Sequence, residues 1–502
     1  MAMDYLLSIG VNTGNSLDAA DVVLTRFGSD GSILDLDALS APMPANLGEC
    51  LRLFRGAVVE SSGDMDAAAS TYKERAAKAK VTATTVNQLI EDYTLYVAGG
   101  IKELVNRAVK QGKVNGPIDV IGFHGQTCAH QPPSIAKEPG TAYTIQIGDG
   151  QLLANETGIS VVYDFRSDDL MNGGEAAPLA PMHHEHLARH LKERGKFPIA
   201  FCNAGNTGNI SVITERKDNG VVVSGWDVGP FNDYPDKLMQ IQRNTACDFE
   251  GAIGAKGNVS GALLRVLFDQ GAVTDHGANY LLQPPPKSSD PQWYRLLPEL
   301  MGKANVGASP LSFEDRVRTA EYFSAYVYFY SLKWIPEDTQ IPTCFALCGG
   351  GWINPISRGH FEQLLRGEFD KYPVLEEHKV IFQEIYDRLS RSGHPVEVAM
   401  SDEFGFSGQY MEARLFGDAA VCRIKGEAFS RPETTGCNSP TMLGIIRFPH
   451  NKPELASKPL IAWLSRYRSK DLTLDNPAAF NCRWSRAASG WQTRSKMTCS
   501  TL

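Results

Sequence analysis

Three short turns in this chain combine glycine with small polar residues, and each follows a run of strand-like residues. They are Gly14–Asp18, Gly205–Asn209 and Cys348–Gly351. Such turns present backbone N–H groups to an anion at close range, and the Asp18 carboxylate is an oxygen ligand of the kind that Mg²⁺ prefers. Each turn alone is equally typical of an ordinary loop, but the three together favour a nucleotide site. That site is not a P-loop, because the chain has no GxxxxGK[ST] motif.

The densest group of carboxylates lies in the segment from Asp164 to Asp169, which follows an apolar strand and precedes Gly173 and Gly174. A general base must lie at the rim of a cleft, and a neighbouring carboxylate can tune its proton affinity. A solvated acidic loop that caps the following helix explains the same composition. The segment is therefore a candidate site for a base, with the capping loop as the alternative.

Strand and helix patterns alternate along the chain, which predicts an α/β protein. Helical spacing of apolar residues predicts helices over 71–80, 86–111 and 315–335. Two β-hairpins begin two halves of the chain, each with a polar turn at its tip. Strand-like runs occur at 5–12, 20–27, 117–125, 142–150, 158–165, 198–205, 210–215, 221–230 and 343–351.

Length and composition indicate an ordinary globular protein of two large domains. The chain has 502 residues, 43% of them hydrophobic, with a net charge of −8. This charge argues against nucleic acid as the main partner. We expect a cytoplasmic protein without a membrane span, since the N-terminus has no basic signal region and no long apolar stretch occurs.

Three features could suggest metal or surface binding, and each has a simpler interpretation. The ten cysteines are scattered without paired CxxC spacing, so reduced buried thiols are expected. Four histidines between His183 and His190 lack the HExxH pattern and favour an amphipathic surface helix over zinc. Residues 451–502 carry nine Lys or Arg against three Asp or Glu, which predicts a flexible basic extension or an interaction tail.

Three segments between residues 123 and 181 resemble those of a known family. The segments FHGQTCAHQP (123–132), TIQIGDGQLLANETGISVVYDFRSDDL (144–170) and GGEAAPLAP (173–181) are similar to those of the anhydro-N-acetylmuramic acid kinases, whose relatives include the fungal levoglucosan kinases. The similarity runs from about residue 5 to 450. It implies a two-lobed actin/hexokinase/Hsp70-like α/β fold, with duplicated mixed-sheet lobes around a nucleotide cleft that binds ATP and Mg²⁺.

The resemblance also implies a role for individual residues. Asp169 is the implied catalytic base, and Asp18 and Asp227 are the implied Mg²⁺ ligands, through water. The implied ATP and phosphate contacts are Gly14, Asn15, Ser16, Asp18, Asp21, Gly205, Asn209, Asp227, Gly229, Asn232, Gly349, Gly350, Gly351 and Glu412. The implied contacts to the sugar are His124, Gln126, Arg166, Gly173 and Gly174. Arg166 could equally be a structural partner of Asp164.

The implied reaction couples two steps. Asp169 deprotonates a water molecule that opens the 1,6-anhydro bridge of the sugar, and the released C6 oxygen accepts the γ-phosphoryl group of ATP. The resemblance leaves the sugar open between anhydro-N-acetylmuramate and levoglucosan, and a homodimer is possible.

Four residues depart from the family pattern at the expected nucleotide site: Asn15, Asn206, Phe231 and Asp290. A catalytically impaired relative that binds a sugar or a partner protein is therefore the alternative function. We expect lobe I to comprise residues 1–140 plus 425–450, lobe II residues 141–424, and the extension residues 451–502.

Overall fold

The computed structural model describes residues 5–14, 16–134, 136, 141–216, 220–274, 276–289, 293–294 and 311–450. Asn15, Asp290 and the predicted 451–502 extension lie outside the described residues. The chain divides into a first unit, Met1–Leu179 with Tyr410–Leu502, and a second unit, Ala180–Gln409. These boundaries differ from the predicted lobes, because residues 141–179 and 410–424 belong to the first unit.

Thirteen strands and thirteen α-helices form the described regions. The strands are β1 (Tyr5–Thr13), β2 (Ala19–Gly28), β3 (Ile33–Pro42), β4 (Val120–Phe123), β5 (Gln126–Gln131), β6 (Tyr143–Ile147), β7 (Val161–Tyr163), β8 (Ile199–Ala204), β9 (Thr207–Glu215), β10 (Val221–Pro230), β11 (Cys344–Cys348), β12 (Glu397–Met400) and β13 (Ile445–Arg447). The helices are α1 (Ala45–Glu60), α2 (Met65–Ala79), α3 (Val86–Lys110), α4 (Gly150–Thr157), α5 (Ser167–Met171), α6 (Ala180–Lys192), α7 (Asp233–Arg243), α8 (Gly261–Gln270), α9 (Phe313–Ser331), α10 (Pro355–Leu365), α11 (Lys379–Arg391), α12 (Met411–Lys425) and α13 (Pro432–Thr435).

The first unit is built on a six-stranded sheet with the order β13-β7-β4-β1-β2-β3. Strands β1, β2 and β3 form an antiparallel meander, and β4 and β7 continue the sheet parallel to β1. Strand β1 is buried along almost its whole length, as its continuous apolar sequence predicts for a central strand. Strands β5 and β6 form a separate antiparallel pair.

Two glycines allow helix α12 to lie directly on this sheet. A Cβ atom at Gly10 would stand 1.8 Å from the carbonyl oxygen of Ala413, and one at Gly122 would stand 1.9 Å from that of Phe416. Both distances are far below contact, so only glycine permits this approach. The pairing of β7 with β4 and the packing of α12 on β1 explain why both segments belong to the first unit.

The second unit repeats the same plan in a five-stranded sheet with the order β10-β9-β8-β11-β12. Again a three-stranded antiparallel meander is extended by two strands parallel to its first strand. Helix α9 packs against β10, α7, α8 and α10. The predicted fold class, an α/β fold with duplicated mixed sheets, is therefore confirmed, and each predicted strand run overlaps an observed strand.

Helix α6 corrects one expectation. Residues 180–192 form the predicted helix, but its first half is not on the surface, because His183, His184 and Glu185 are buried. The ring of His184 stacks on Phe201 at 4.3 Å between centroids. No helix in the described regions is both long enough and apolar enough to cross a membrane.

Candidate active site

The first of the turns predicted to bind phosphate, Gly14–Asp18, lies between β1 and β2 in the first unit. The N–H group of Leu17 donates to the carbonyl of Gly14 at 3.2 Å and closes the turn. Ser16 Oγ donates to Asp18 Oδ1 at 2.5 Å, and both side chains are exposed. Asn15 lies outside the described residues. The turn thus offers a hydroxyl group and a carboxylate to solvent, which suits a phosphate with its cation.

Close to this turn, strand pairing and helix α12 bring three polar residues together. Asn12 of β1 is the cross-strand partner of Asp21 in β2. Asn12 Nδ2 donates to Glu412 Oε2 at 2.7 Å from the first turn of α12. Ser40 Oγ makes a short hydrogen bond to Asp21. Asp21 and Glu412, predicted separately from distant parts of the sequence, therefore belong to one cluster.

Asp169, the predicted base, is fully buried in the first unit rather than at an open rim. Its Oδ2 accepts a hydrogen bond from the Ala176 N–H at 2.7 Å, and its Oδ1 accepts one from Thr435 Oγ1 at 2.6 Å. Gly174 packs against the carboxylate so closely that a Cβ there would stand 2.2 Å from Oδ2. The carboxylate is thus held on both oxygens, each of which has a second lone pair.

Ala176 adopts an unfavourable backbone conformation in this arrangement. Its φ of 57° lies in the left-handed region, which is costly for residues other than glycine. Its N–H group binds Asp169, and its carbonyl accepts a hydrogen bond from Arg166 Nη1 at 2.6 Å. One strained peptide therefore connects the base to the predicted sugar-contacting arginine.

Arg166 also determines the tautomer of the His124 ring. Arg166 Nε donates to His124 Nε2 at 3.0 Å, so this nitrogen must accept and the proton lies on Nδ1. Burial, with the nearby Arg166 charge, lowers the pKa of His124 well below its usual value, which agrees with a neutral ring. The ring stacks on Phe416 at 4.2 Å, and its buried Nδ1 has no hydrogen-bond partner among the described residues.

Further buried polar atoms extend this region along β5. Gln126 Oε1 and His130 Nε2 have no hydrogen-bond partner within the described ranges. His130 Nδ1 is paired with Thr144 Oγ1 at 3.1 Å. Burial, followed by the charge of Arg166, lowers the pKa of His130 to about 3, so its ring is neutral. Buried polar groups usually have partners, and sugar hydroxyls would satisfy these atoms.

In the second unit, the turn between β8 and β9 is joined to the start of α7. The carbonyl of Gly205 accepts the Asn232 N–H at 3.1 Å, and that of Asn206 accepts the Phe231 N–H at 2.8 Å. Asn206 is exposed, while Asn232 directly precedes α7. Gly205 and Asn232, two predicted phosphate contacts, are thus adjacent in the structure.

Phe231 replaces a glycine of the family pattern, and its ring is directed into the core. It packs edge-on against Trp352 at 4.6 Å and Tyr328 at 5.5 Å between centroids. The residue is 1% exposed. The phenyl ring therefore does not cover the exposed side of the Asn206 turn.

Asp227 is positioned by a segment that contains a buried lysine. Its Oδ2 accepts hydrogen bonds from the Ser289 N–H at 2.9 Å and from Ser288 Oγ at 3.2 Å. Lys287, next to these serines, is buried and lies 4.5 Å from the centre of the Tyr280 ring. Burial lowers the pKa of Lys287 to about 7, although the Asp227 charge opposes this shift.

The remaining predicted residues of the second unit lie near Asp227 and Asn232. Asn209 is the cross-strand partner of Asp227, and Gly229 follows an irregularity in the same pairing. The glycine loop Gly349–Gly351 leaves the end of β11, and a Cβ at Gly351 would stand 2.5 Å from Asn232 Oδ1. The predicted phosphate and adenosine residues of this unit therefore form one contiguous region.

Comparison with known proteins identifies the family to which this chain belongs. The model of a family described as "Anhydro-N-acetylmuramic acid kinase" matches residues 6–370. The chain belongs to this family. The protein with this name from Rhizorhabdus wittichii is 30% identical over 447 residues, which cover 89% of this chain and 100% of that protein. The protein with this name from Agrobacterium fabrum is 29% identical over 439 residues, which cover 88% of this chain and 98% of that protein. Membership makes the protein a carbohydrate kinase.

Solved structures give only a weak likeness. A ligand-bound xylulose kinase from Lactobacillus acidophilus is 10% identical, covers 92% of this chain and 97% of its own, and has a TM-score of 0.32. A score this low carries no argument about fold or function.

Four residues of this kinase lie in the two regions although the sequence did not point to them: Asn12, His130, Lys287 and Thr435. Asn12 reads as part of an apolar strand, and Thr435 lies 266 residues after Asp169. His130 lies inside the FHGQTCAHQP segment, and Lys287 lies three residues before Asp290. Their histidine and lysine were the available signals.

Proposed function

We propose that this carbohydrate kinase phosphorylates a 1,6-anhydro sugar with ATP and Mg²⁺, and that it couples phosphorylation to hydrolytic opening of the anhydro bridge. Family membership supports the substrate class. The observation that carries the coupled chemistry is Asp169, a buried carboxylate held by donors on both oxygens beside the Arg166–His124 pair.

Asp169 takes a proton from a water molecule as the water oxygen attacks C1 of the sugar. The bond from C1 to the bridging O6 breaks, and its electron pair stays on O6. That oxygen attacks the γ-phosphorus of ATP, the bond to the β–γ bridging oxygen breaks, and ADP leaves. The sum is anhydro sugar, water and ATP converted to sugar 6-phosphate, ADP and a proton.

The other residues act by binding and orientation. His124 Nδ1, Gln126 Oε1 and His130 Nε2 supply buried polar atoms for sugar oxygens and hydroxyls. The Gly14–Asp18 and Gly205–Asn209 turns are the proposed phosphate contacts. Orientation of the reacting groups supplies much of the rate in such reactions.

Each unit, taken by itself, offers a carboxylate of the kind that Mg²⁺ prefers as an oxygen ligand. Asp18 is exposed at its turn, and Asp227 is held by the 288–289 segment. When bound, Mg²⁺ neutralises charge on the phosphate oxygens.

Packing of Phe231 also supports an active kinase over an impaired relative. A phenyl ring directed toward the turn would obstruct a phosphate there. Since the ring lies against Trp352 and Tyr328 in the core, its presence is compatible with an open turn.

The test measures ADP release and product mass with 1,6-anhydro-N-acetylmuramic acid and with levoglucosan, each with ATP and Mg²⁺. The wild type should give a product heavier than the substrate by one phosphoryl group and one water. Asp169→Asn should lower kcat by about 10³-fold or more, because general bases contribute ~10²–10⁴-fold.

Asp168→Asn is the matched control. Asp168 Oδ2 accepts the Gly444 N–H at 3.0 Å, and the amide oxygen of asparagine can replace it. This variant should keep wild-type kcat. Equal turnover by wild type and Asp169→Asn would show that the base is another group.

A further inference from the structure

Among the described residues two groups donate hydrogen bonds to the Asp169 carboxylate, and one of them lies near the far end of the described chain. Helix α13 is a single turn that ends at Thr435. In the sequence this helix lies between Ser430 and Thr441, which pair with each other in a β-bridge. This segment lies beyond residues 6–370, which the family model matches. It therefore supplies a contact to the proposed base that the matched region does not contain.

Thr435 binds the Asp169 loop through both its side chain and its main chain. Its Oγ1 lies 2.6 Å from Asp169 Oδ1, and its carbonyl accepts the Glu175 N–H at 2.8 Å. Thr435 and Asp169 are both fully buried. The threonine hydroxyl donates this hydrogen bond, and the carboxylate oxygen accepts it.

The two donors to Asp169 act on different oxygens. The Ala176 N–H binds Oδ2 from within the same loop, and the Thr435 hydroxyl binds Oδ1 from outside it. A donor on each oxygen fixes the rotation of the carboxylate plane about the Cβ–Cγ bond. With Ala176 alone, the carboxylate could turn about that single contact.

We propose that Thr435 is a positioning residue for the kinase reaction, which orients the Asp169 carboxylate toward the attacking water through its hydroxyl group. This inference rests on the proposed function, in which Asp169 is the base. A misplacement of about 1 Å can cost ~10²-fold in rate, so loss of this donor should act on kcat.

The adjacent residue provides a matched control. Thr434 is also fully buried, but its hydroxyl is used inside its own helical turn. Thr434 Oγ1 accepts the Arg431 N–H at 3.1 Å and donates to the Arg431 carbonyl at 3.0 Å. A change at Thr434 therefore disturbs α13 without removing a donor from the base.

The experiment compares kcat and KM of Thr435→Val, Thr435→Ser and Thr434→Val in the full chain, with ATP, Mg²⁺ and the sugar that the wild type turns over. Valine keeps the shape and removes the hydroxyl, so kcat should fall about 10- to 100-fold. The KM for ATP should stay within about 2-fold. Serine keeps the donor, so kcat of Thr435→Ser should lie within about 3-fold of the wild-type value. The kcat of Thr434→Val should also lie within about 3-fold of the wild-type value.

Wild-type kcat in Thr435→Val, or a loss of kcat in Thr435→Ser as large as in the valine variant, would overturn the inference. A fall in kcat that Thr434→Val shares would do the same, since it would point to α13 as a structural element. If Thr435→Val does not fold, Thr435→Ala removes the same hydroxyl and replaces it in the comparison.

Asp169→Asn, measured alongside, separates the two proposals. Full activity in Asp169→Asn refutes the base assignment and the Thr435 inference with it. Loss of activity in Asp169→Asn with normal Thr435→Val refutes only the role of Thr435.

Discussion

A buried glutamate in the second unit should make the stability of this kinase fall as the pH rises. Glu321 lies on α9 and is fully buried. Its Oε1 accepts a hydrogen bond from Asn354 Nδ2 at 2.7 Å. Burial raises its pKa to about 8, the Asn354 hydrogen bond opposes this shift, and the charge of Asp248 adds to it. The carboxyl group is therefore protonated in the folded protein at neutral pH.

The sign of the effect follows from the two pKa values. In the unfolded chain Glu321 loses its proton near its ordinary value of 4.5, whereas the folded protein keeps it up to about pH 8. The folded state thus binds one more proton between these values, and stability falls as the pH rises through this window. At about 1.4 kcal/mol per pH unit, the loss is about 3 kcal/mol at pH 7 and on the order of 5 kcal/mol above pH 8.

Replacement of Glu321 by glutamine tests this reasoning. The glutamine amide has the shape of the protonated carboxyl group, and its oxygen can accept the same Asn354 hydrogen bond. The variant should match the wild type near pH 4.5 and become more stable than it by about 3 kcal/mol at pH 7. For a unit of this size, 1 kcal/mol corresponds to a shift in Tm of about 2–4 °C.

The assay is thermal unfolding of both proteins from pH 4.5 to 8.5 at fixed ionic strength. Glu314→Gln on the same helix is the control. Glu314 is partly exposed, and its ion pair with Arg243 is long, at 3.9 Å between Oε1 and Nη2. This control should follow the wild type at every pH. A constant difference in Tm between Glu321→Gln and the wild type across the range would refute the raised pKa.

Two further substitutions probe the packing beneath the site, both measured by thermal unfolding. Gly10→Ala should destabilise the first unit by about 3 kcal/mol or more, because the added Cβ would stand 1.8 Å from the Ala413 carbonyl; a variant with unchanged Tm would contradict the packing of α12 on β1. Ala176→Val should lower both Tm and kcat, since a β-branched residue at a φ of 57° is strained and its N–H orients Asp169. Ala176→Gly, the control, should retain activity, and equal behaviour of the valine and glycine variants would argue against strain.

Local sequence patterns were sufficient to predict nine of the thirteen described strands, together with helices α2, α3, α6 and α9. Strand β1 is a continuous apolar run, and α3 has apolar residues at helical spacing. The hydrophobic pattern of each segment therefore identifies these two elements without knowledge of their neighbours. The two polar hairpin turns likewise appear at the predicted places. The fold class followed from their order and from the family resemblance.

The limits of the two units could not be predicted in the same way. Strand β7 joins the first unit because it pairs with β4, and α12 joins it because Gly10 and Gly122 leave room for its backbone. Both causes are long-range contacts, and neither changes the local pattern of the segment itself. The buried first half of α6 has a similar origin, since its histidines look polar until His184 is seen to stack on Phe201.

The proposed catalytic site shows the same division between local and long-range information. The role of Asp169 as base was implied by the family resemblance. Its geometry depends on Ala176, whose strained φ has no sequence signature, and on Thr435, which lies far along the chain. The resemblance thus names a candidate carboxylate, whereas the orientation of that carboxylate is determined by residues that only the folded chain brings near. Substitutions at such positions should therefore alter kcat even where every motif residue is intact.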